Sequence, residues 1–197
     1  MLKFVISALL LLLSAPAAFA GGGVVMVGER CTMHIDFYSA RFTAYQPDTQ
    51  GNQEFCEDLP DIGLTLFVLD YLHPSLKEVP VDFRIIRNTT DQGRFALWED
   101  VAKLGDLRPL TLFYQAPVIE GDASLQVEYE FSEPGEYIGI VTAGHPSSEK
   151  VYRSVFPFEV GRPRYQAALL ALAFLAIMIL YTWRRQRSIK RLQRESS

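Results

Sequence analysis

Residues 165–183 carry no charged side chain, and six of the eleven residues that follow them are basic. As an α-helix, nineteen residues rising about 1.5 Å each would span roughly 28 Å, close to the hydrocarbon thickness of a bilayer. Basic residues beside a membrane span stay on the cytoplasmic side. We therefore predict one transmembrane helix over residues 165–183, a basic cytoplasmic tail over residues 184–197 and an extracytoplasmic location for everything before the helix.

The first twenty residues have the features of a signal peptide. Lys3 precedes an apolar run over residues 4–13, and Ala18 and Ala20 form the small-x-small pattern that signal peptidase accepts. We predict a signal peptide over residues 1–20 and a flexible lead-in over residues 21–30, because three consecutive glycines follow the cleavage site. The protein would then be anchored in the inner (plasma) membrane as a single-pass protein, with its main domain in the periplasm or outside the cell.

The length between these segments is enough for one domain, predicted over residues 31–161. Residues 21–164 contain 12 Lys or Arg and 22 Asp or Glu, which is a net charge of −10. Nucleic acid and anionic lipid headgroups would be repelled by such a domain. We therefore predict that the domain binds no nucleic acid and that its contact with the bilayer is through the C-terminal helix.

Short segments rich in Val, Ile, Phe and Tyr recur in this domain, separated by Pro, Gly, Asn and Asp. They predict an all-β sandwich of about seven strands, near residues 31–45, 63–70, 79–87, 110–115, 124–131, 135–143 and 151–160. In residues 125–131 apolar and polar side chains alternate strictly, which is typical of a strand with one solvated face. Only residues 95–104 have helical spacing of apolar side chains, and we predict one short helix there.

The chain has two cysteines, Cys31 and Cys56. In an extracytoplasmic compartment a disulfide is the expected state. Closing a loop with a separation of 25 residues would stabilise the folded domain by roughly 3 kcal/mol in the loop-entropy estimate. Two reduced thiols or a metal pair are the alternatives.

A soft-metal site is the second interpretation of this region. The candidate ligands, which suit copper, are Cys31, Met33, His34 and Cys56. Alternation along a strand would put Cys31 and Met33 on one face and His34 on the other, so they could converge only at a bulge or a turn. His73 and His145 each precede a proline in a predicted loop, and we interpret them as solvated turn residues. We therefore predict no metal or other cofactor and keep copper as the alternative.

The sequence contains no catalytic signature. A triad could be drawn from His34, Asp36 and Ser39, but no Gly-x-Ser-x-Gly turn is present to expose a serine nucleophile. The chain is therefore predicted not to be an enzyme, and no small-molecule substrate is evident.

The aromatic residues Phe37 and Tyr38 are the best candidates for an interaction surface. In a strand they point to opposite faces, so at least one of them lies outside a single core. Aromatic side chains dominate the centres of protein interfaces. The alternative is that this side chain is covered by the segment 95–104.

Residues 125–141 resemble the penultimate hairpin of immunoglobulin-like modules in bacterial envelope proteins. The shared pattern is an alternating strand ending at Phe131, a turn containing Pro134 and Gly135, and Tyr137 at the start of the next strand. The resemblance implies an immunoglobulin-like sandwich in which Tyr137 folds back into the core. Pro134 would fix φ in the turn, and Gly135 would take a backbone conformation that larger residues disfavour.

The order of leader, one β-sandwich and C-terminal anchor is also similar to that of small accessory proteins that accompany membrane metalloenzymes and copper-handling systems. We therefore predict a membrane-anchored binding module, an accessory or assembly subunit whose partner is another membrane or envelope protein. The alternative function is copper binding or copper delivery to a membrane metalloenzyme.

Overall fold

The structure, a computed structural model, describes residues 23–27, 30–161 and 172–179, together with residues 181 and 184. The chain divides into two compact units, Met1–Gly161 and Arg162–Ser197. Residues 172–179 of the second unit are helical. Within the described residues, no helix has both the length and the apolar character needed to cross a bilayer. The predicted signal peptide, much of the predicted transmembrane segment and all of the tail after residue 184 lie outside the described residues.

The described part of the first unit contains two five-stranded sheets, which confirms the prediction of an all-β sandwich. In spatial order the first sheet contains β1 (Val24–Val27), β2 (Arg30–Ile35), β3 (Tyr38–Tyr45), β5 (Gly63–Tyr71) and β8 (Ser124–Phe131). The second contains β4 (Asp58–Leu59), β10 (Ser148–Val160), β9 (Gly135–His145), β6 (Val81–Arg87) and β7 (Thr111–Val118). Neighbouring strands are antiparallel, except that β4 runs parallel to β10.

Besides three 3₁₀ helices (Pro74–Lys77, Gly93–Phe95 and Arg108–Leu110), the described part of this unit has two short α-helices, α1 (Pro47–Gln50) and α2 (Trp98–Lys103). The second lies within the predicted helical segment 95–104. Its first turn is stabilised by Asp100, whose carboxylate accepts a hydrogen bond from the Leu97 backbone N–H at 3.2 Å.

The alternation in β8 is confirmed. Leu125, Val127 and Phe131 are buried, whereas Glu128 and Glu130 are exposed. Because the side-chain period of a strand is two, this pattern fixes which face of β8 contacts the core.

The expected number of strands, about seven, is wrong, because the structure has ten in the described residues. The segment 31–45 is a hairpin, since β2 and β3 are joined by a two-residue turn at Asp36 and Phe37. Asp36 has φ 57°, a conformation that Asp tolerates better than most residues. Ile35 and Tyr38 on either side of the turn are both buried, so the apolar pattern continues through it and hides the break.

The flexible lead-in predicted over residues 21–30 instead contains β1, which pairs with β2. Gly23, just before β1, joins the two sheets: its N–H donates to the Val155 carbonyl at 2.7 Å, and its carbonyl accepts from the His34 N–H at 2.8 Å. Glycine suits this position because an added Cβ would lie 1.9 Å from the Ser154 hydroxyl oxygen.

The predicted turn before β9 is only partly as expected. Tyr137 does fold back into the core, where it is 2% exposed, and its hydroxyl donates to the Glu133 carbonyl at 2.7 Å. The expectation for Gly135 is wrong, since this residue does not have a positive φ. Its position as the first residue of β9, in ordinary extended backbone, explains the difference.

Phenylalanine rings from both sheets form the centre of the core. Phe67 of the first sheet lies 5.5 Å from Phe83 and 5.7 Å from Phe158 of the second, between ring centroids. Phe42 lies 4.7 Å from Phe156 in the same way. Aromatic pairs at these distances add to the stabilisation that burial provides.

A second, smaller cluster lies on the outer face of the second sheet. The chain between β6 and β7, which contains α2, covers apolar side chains that point away from the main core. The buried members of this cluster are Ile86, Ala96, Val101, Ile138, Ile140 and Val155. The second sheet therefore has one face against the main core and part of the other face under this connection.

We predict that Gly139→Ala destabilises the domain. Gly139 in β9 is directly opposite Phe156 in β10, and an added Cβ would lie 2.0 Å from an atom of the Phe156 ring. Because this ring is buried among others, we expect the free energy of unfolding to fall by about 1 to 3 kcal/mol, as measured by urea denaturation. Gly121→Ala is the matched control, since an added Cβ there meets no atom within 4 Å. Equal stability of the two variants would contradict the prediction.

Candidate functional site

Three chain connections meet at one end of the sandwich. They are the β2–β3 turn at residues 36–37, the β5–β6 connection at residues 72–80 and the β9–β10 turn at residues 146–147, and we call this region, together with His145 at the end of β9, the loop end. Ring contacts between Phe37, His73 and His145 bring the three connections together. Loops at one end of a β-sandwich are a common place for binding residues, because the sheets hold them in position.

Phe37 is the centre of the loop end. Its side chain is 49% exposed, although four rings lie around it. The distances from its centroid are 4.0 Å to Tyr38, 4.8 Å to Tyr152, 5.5 Å to His73 and 6.4 Å to His145. The Phe37 ring is therefore supported on one side by other rings and open to solvent on the other. We call these five residues the aromatic cluster.

Tyr38 supports Phe37 from below and does not itself form part of the surface. It is fully buried, and its hydroxyl donates to the Gly144 carbonyl at 3.0 Å. Burial, with a smaller contribution from Tyr152, raises the pKa of Tyr38 above its usual value. The hydroxyl therefore stays protonated and keeps its hydrogen bond. Of the two predicted surface residues, only Phe37 is exposed.

His73 and His145 belong to the aromatic cluster, although the sequence suggested only solvated turn residues at these positions. Each is followed by Pro and Ser, and each Nδ1 accepts a hydrogen bond from the serine N–H two residues on. The distances are 3.3 Å for Ser75 and 3.0 Å for Ser147. In a neutral imidazole that accepts at Nδ1 the proton is on Nε2, so both rings have an N–H available as a donor. The signal in the sequence was the repeated tripeptide His-Pro-Ser.

The loop end lies opposite the end of the domain at Gly161. β10 starts beside the β9–β10 turn and continues for 13 residues to Val160. At about 3.3 Å for each residue, the strand covers roughly 40 Å. The aromatic cluster is therefore remote from the residue at which the first unit ends.

The sulfur-containing candidates lie elsewhere: Cys31 and Met33 are in β2 of the first sheet, and Cys56 is in the chain between α1 and β4. Cys31 and Cys56 form the predicted disulfide, with a Cα–Cα distance of 5.6 Å. Met33 is fully buried, and His34 is exposed on the other face of β2, as strand alternation requires. The disulfide occupies both cysteine sulfurs, so the four candidate ligands do not form one site in this state. In the part of the chain that the structure describes, no group of three or more His, Cys, Asp or Glu side chains could hold a metal ion.

Comparison with known proteins identifies a similar structure but no family. No protein-family model matches the sequence, and no curated protein matches it. Among solved structures, the chain is similar to the crystal structure of the PmoD soluble domain from Methylocystis sp. strain Rockwell. The sequence identity is 26% and the TM-score is 0.54, and the match covers 66% of this chain and 96% of that chain. The similarity supports the β-rich fold.

We predict that removing the disulfide destabilises the domain. The variant Cys31→Ala/Cys56→Ala loses a loop closure over a separation of 25 residues, which should lower the free energy of unfolding by about 3 kcal/mol. Urea denaturation followed by circular dichroism measures the change. Wild-type protein in the presence of a reductant is the control, and it should lose a similar amount. Identical unfolding midpoints for the variant and the oxidised wild type would contradict the prediction.

Proposed function

We infer that this protein is a membrane-anchored, extracytoplasmic binding module that serves as an accessory or assembly subunit of another membrane or envelope protein. It is not an enzyme in this proposal, and it works without a cofactor. The supporting observation is the half-exposed Phe37 ring, which four other rings hold in place at the loop end.

The chemistry of the loop end is suited to binding a protein. Leu72 and Val151, each next in sequence to a member of the aromatic cluster, are 53% and 41% exposed. A ring that is already fixed loses little conformational freedom when a partner covers it, so more of the burial energy contributes to affinity. The N–H groups of His73 and His145 could donate to carbonyl oxygens of the partner. An apolar centre with polar groups at its edge is the usual composition of a protein interface.

The proposed location is supported by the disulfide and by the charge pattern. Disulfides persist in oxidising compartments outside the cytoplasm. The leader, the uncharged segment 165–183 and the basic residues after it are the features that place a single-pass protein with its tail in the cytoplasm. Because the loop end is remote from Gly161, we expect a partner that has an extracytoplasmic part of its own.

The experiment that tests this function is site-specific photo-crosslinking of the full chain in native membranes. A photoreactive phenylalanine analogue replaces Phe37 in one sample and Phe95 in the other. Phe95 is a matched control because its side chain is 52% exposed but lies outside the aromatic cluster. We expect a discrete adduct with a membrane or envelope protein from position 37, identified by mass spectrometry, and none from position 95.

The partner found in this way allows a quantitative check. Truncation of a central aromatic side chain in an interface costs about 2 kcal/mol or more, so Phe37→Ala should weaken the complex at least tenfold and Phe95→Ala should not. The same adducts from both positions, or adducts with lipid alone, would refute the proposed surface.

Copper binding remains the alternative, and one observation favours it. Cys31 and Met33 both point inward, and Cys56 packs against the same core, so reduction would place two thiols in the same region as a thioether. Thiol titration and copper analysis of the protein purified from membranes distinguish the two functions. Oxidised cysteines without copper support the binding module, whereas two free thiols with stoichiometric copper support the alternative.

A further inference from the structure

A second site lies on the outer face of the second sheet, away from the aromatic cluster. It is a cleft of about 310 Å³ between β6, β9 and the chain that connects β6 to β7. The residues that matter for its chemistry are Asp82, Arg84, Trp98, Leu107, Ile140 and Thr142. This volume is at the lower end of the range for small-molecule sites.

The register of the strands lines up the polar residues of the cleft. Asp82 in β6 is directly opposite Thr142 in β9, and Thr142 is directly opposite Arg153 in β10. Arg84 is two residues from Asp82 on the same face of β6 and is opposite Ile140. Side chains directly opposite each other on one face are in contact range, so one row across the sheet runs from Asp82 through Thr142 to Arg153, with Arg84 beside Asp82 on β6.

Both guanidinium groups are held against aromatic rings. The Cζ atom of Arg84 is 4.2 Å from the centroid of Tyr114, and that of Arg153 is 4.8 Å from the centroid of Trp98. Arg84 also donates to the Thr111 hydroxyl at 2.8 Å. In the described part of the chain neither side chain forms an ion pair with a carboxylate. Each guanidinium has five N–H donors, so most of them are free for a ligand.

The other charges around the cleft are neutralised or shielded. Arg108 is paired with Asp106, with its Nη2 2.9 Å from Oδ2. Asp82 accepts a hydrogen bond from Thr142, and burial raises the pKa of its carboxyl group, against the opposing effects of Thr142, Arg84 and Arg153. With Asp82 ionised, the two unpaired arginines still leave one positive charge. A ligand with a single negative charge would balance it.

The walls of the cleft determine the rest of the ligand. Trp98, Leu107 and Ile140 contribute apolar surface beside the charged groups. An inorganic dianion would leave the apolar side chains uncovered. Its two negative charges would also exceed the one net positive charge of the cleft, and the excess would be repelled by the Asp82 carboxylate. We propose that the cleft binds a small organic monocarboxylate with an apolar body. The carboxylate contacts Arg84, which lines the cleft, while Arg153, held over Trp98, adds positive charge nearby, and the apolar body covers Trp98 and Leu107.

The test uses sodium benzoate as the probe and the full chain in detergent. Isothermal titration calorimetry should give saturable binding with one site, and benzamide, which has the same shape without the charge, should bind at least tenfold more weakly. Arg84→Gln should weaken benzoate binding at least tenfold. Arg87→Gln is the matched control, because Arg87 lies on the same strand but pairs with Glu133 at 2.8 Å outside the cleft. Circular dichroism establishes that each variant is folded, and Arg153→Gln replaces Arg84→Gln if the latter does not fold.

Asp82 provides an independent readout. The groups that face its carboxylate from the sheet are Arg84 on β6, Thr142 on β9 and Arg153 on β10, and the connection between β6 and β7 adds the Asp106–Arg108 ion pair to the same cleft. Protonation of Asp82 removes a negative charge beside the ligand, so benzoate affinity should rise as pH falls through the raised pKa of Asp82, as long as the ligand itself stays ionised. Asp82→Asn should bind more tightly than wild type at neutral pH and should lose this pH dependence. Non-saturable binding, equal affinity for benzamide, or no effect of Arg84→Gln would overturn the proposal.

Discussion

The contact of Phe67 with Phe83 and Phe158 joins the two sheets, and the rest of the domain depends on it. A sheet cannot bury its apolar face alone, so ten short strands become stable only when the two faces meet. Phe67 and Phe83 come from consecutive strands that lie in different sheets, whereas Phe158 comes from the last strand of the domain. Once this contact forms, the ends of the strands are fixed, and with them the position of every connection at the loop end.

The sequence predicted the elements whose pattern is local. β8 was predicted at its observed limits because its outer face is solvated and its alternation is therefore strict. The disulfide followed from the cysteine count and the inferred compartment. The β2–β3 turn was missed because it contains Asp and Phe in place of Gly or Asn, and β1 was missed because its pairing with β2 begins beside a run of glycines.

The sites depend on contacts that no local pattern contains. His73 and His145 looked like solvated turn residues, and only the topology brings both of them to Phe37. Asp82 and Arg84 alternate with apolar residues, as polar side chains do on any strand with one solvent-exposed face. The sequence of β6 alone therefore does not indicate a cleft. The cleft forms because a connection some twenty residues long returns across that face, and its path is set by the small apolar cluster around Val101.

The length of β10 also has a mechanical consequence. This strand pairs with β9 from the loop end to Val160, and antiparallel hydrogen bonds run perpendicular to the strands. When a partner holds the loop end while tension acts at Gly161, the force lies along the strands. All the hydrogen bonds of the pair then share the load at once in shear, whereas a force across the strands would break them singly. The pairing of β10 with β9 is therefore expected to resist a pull along this axis better than a pull across it.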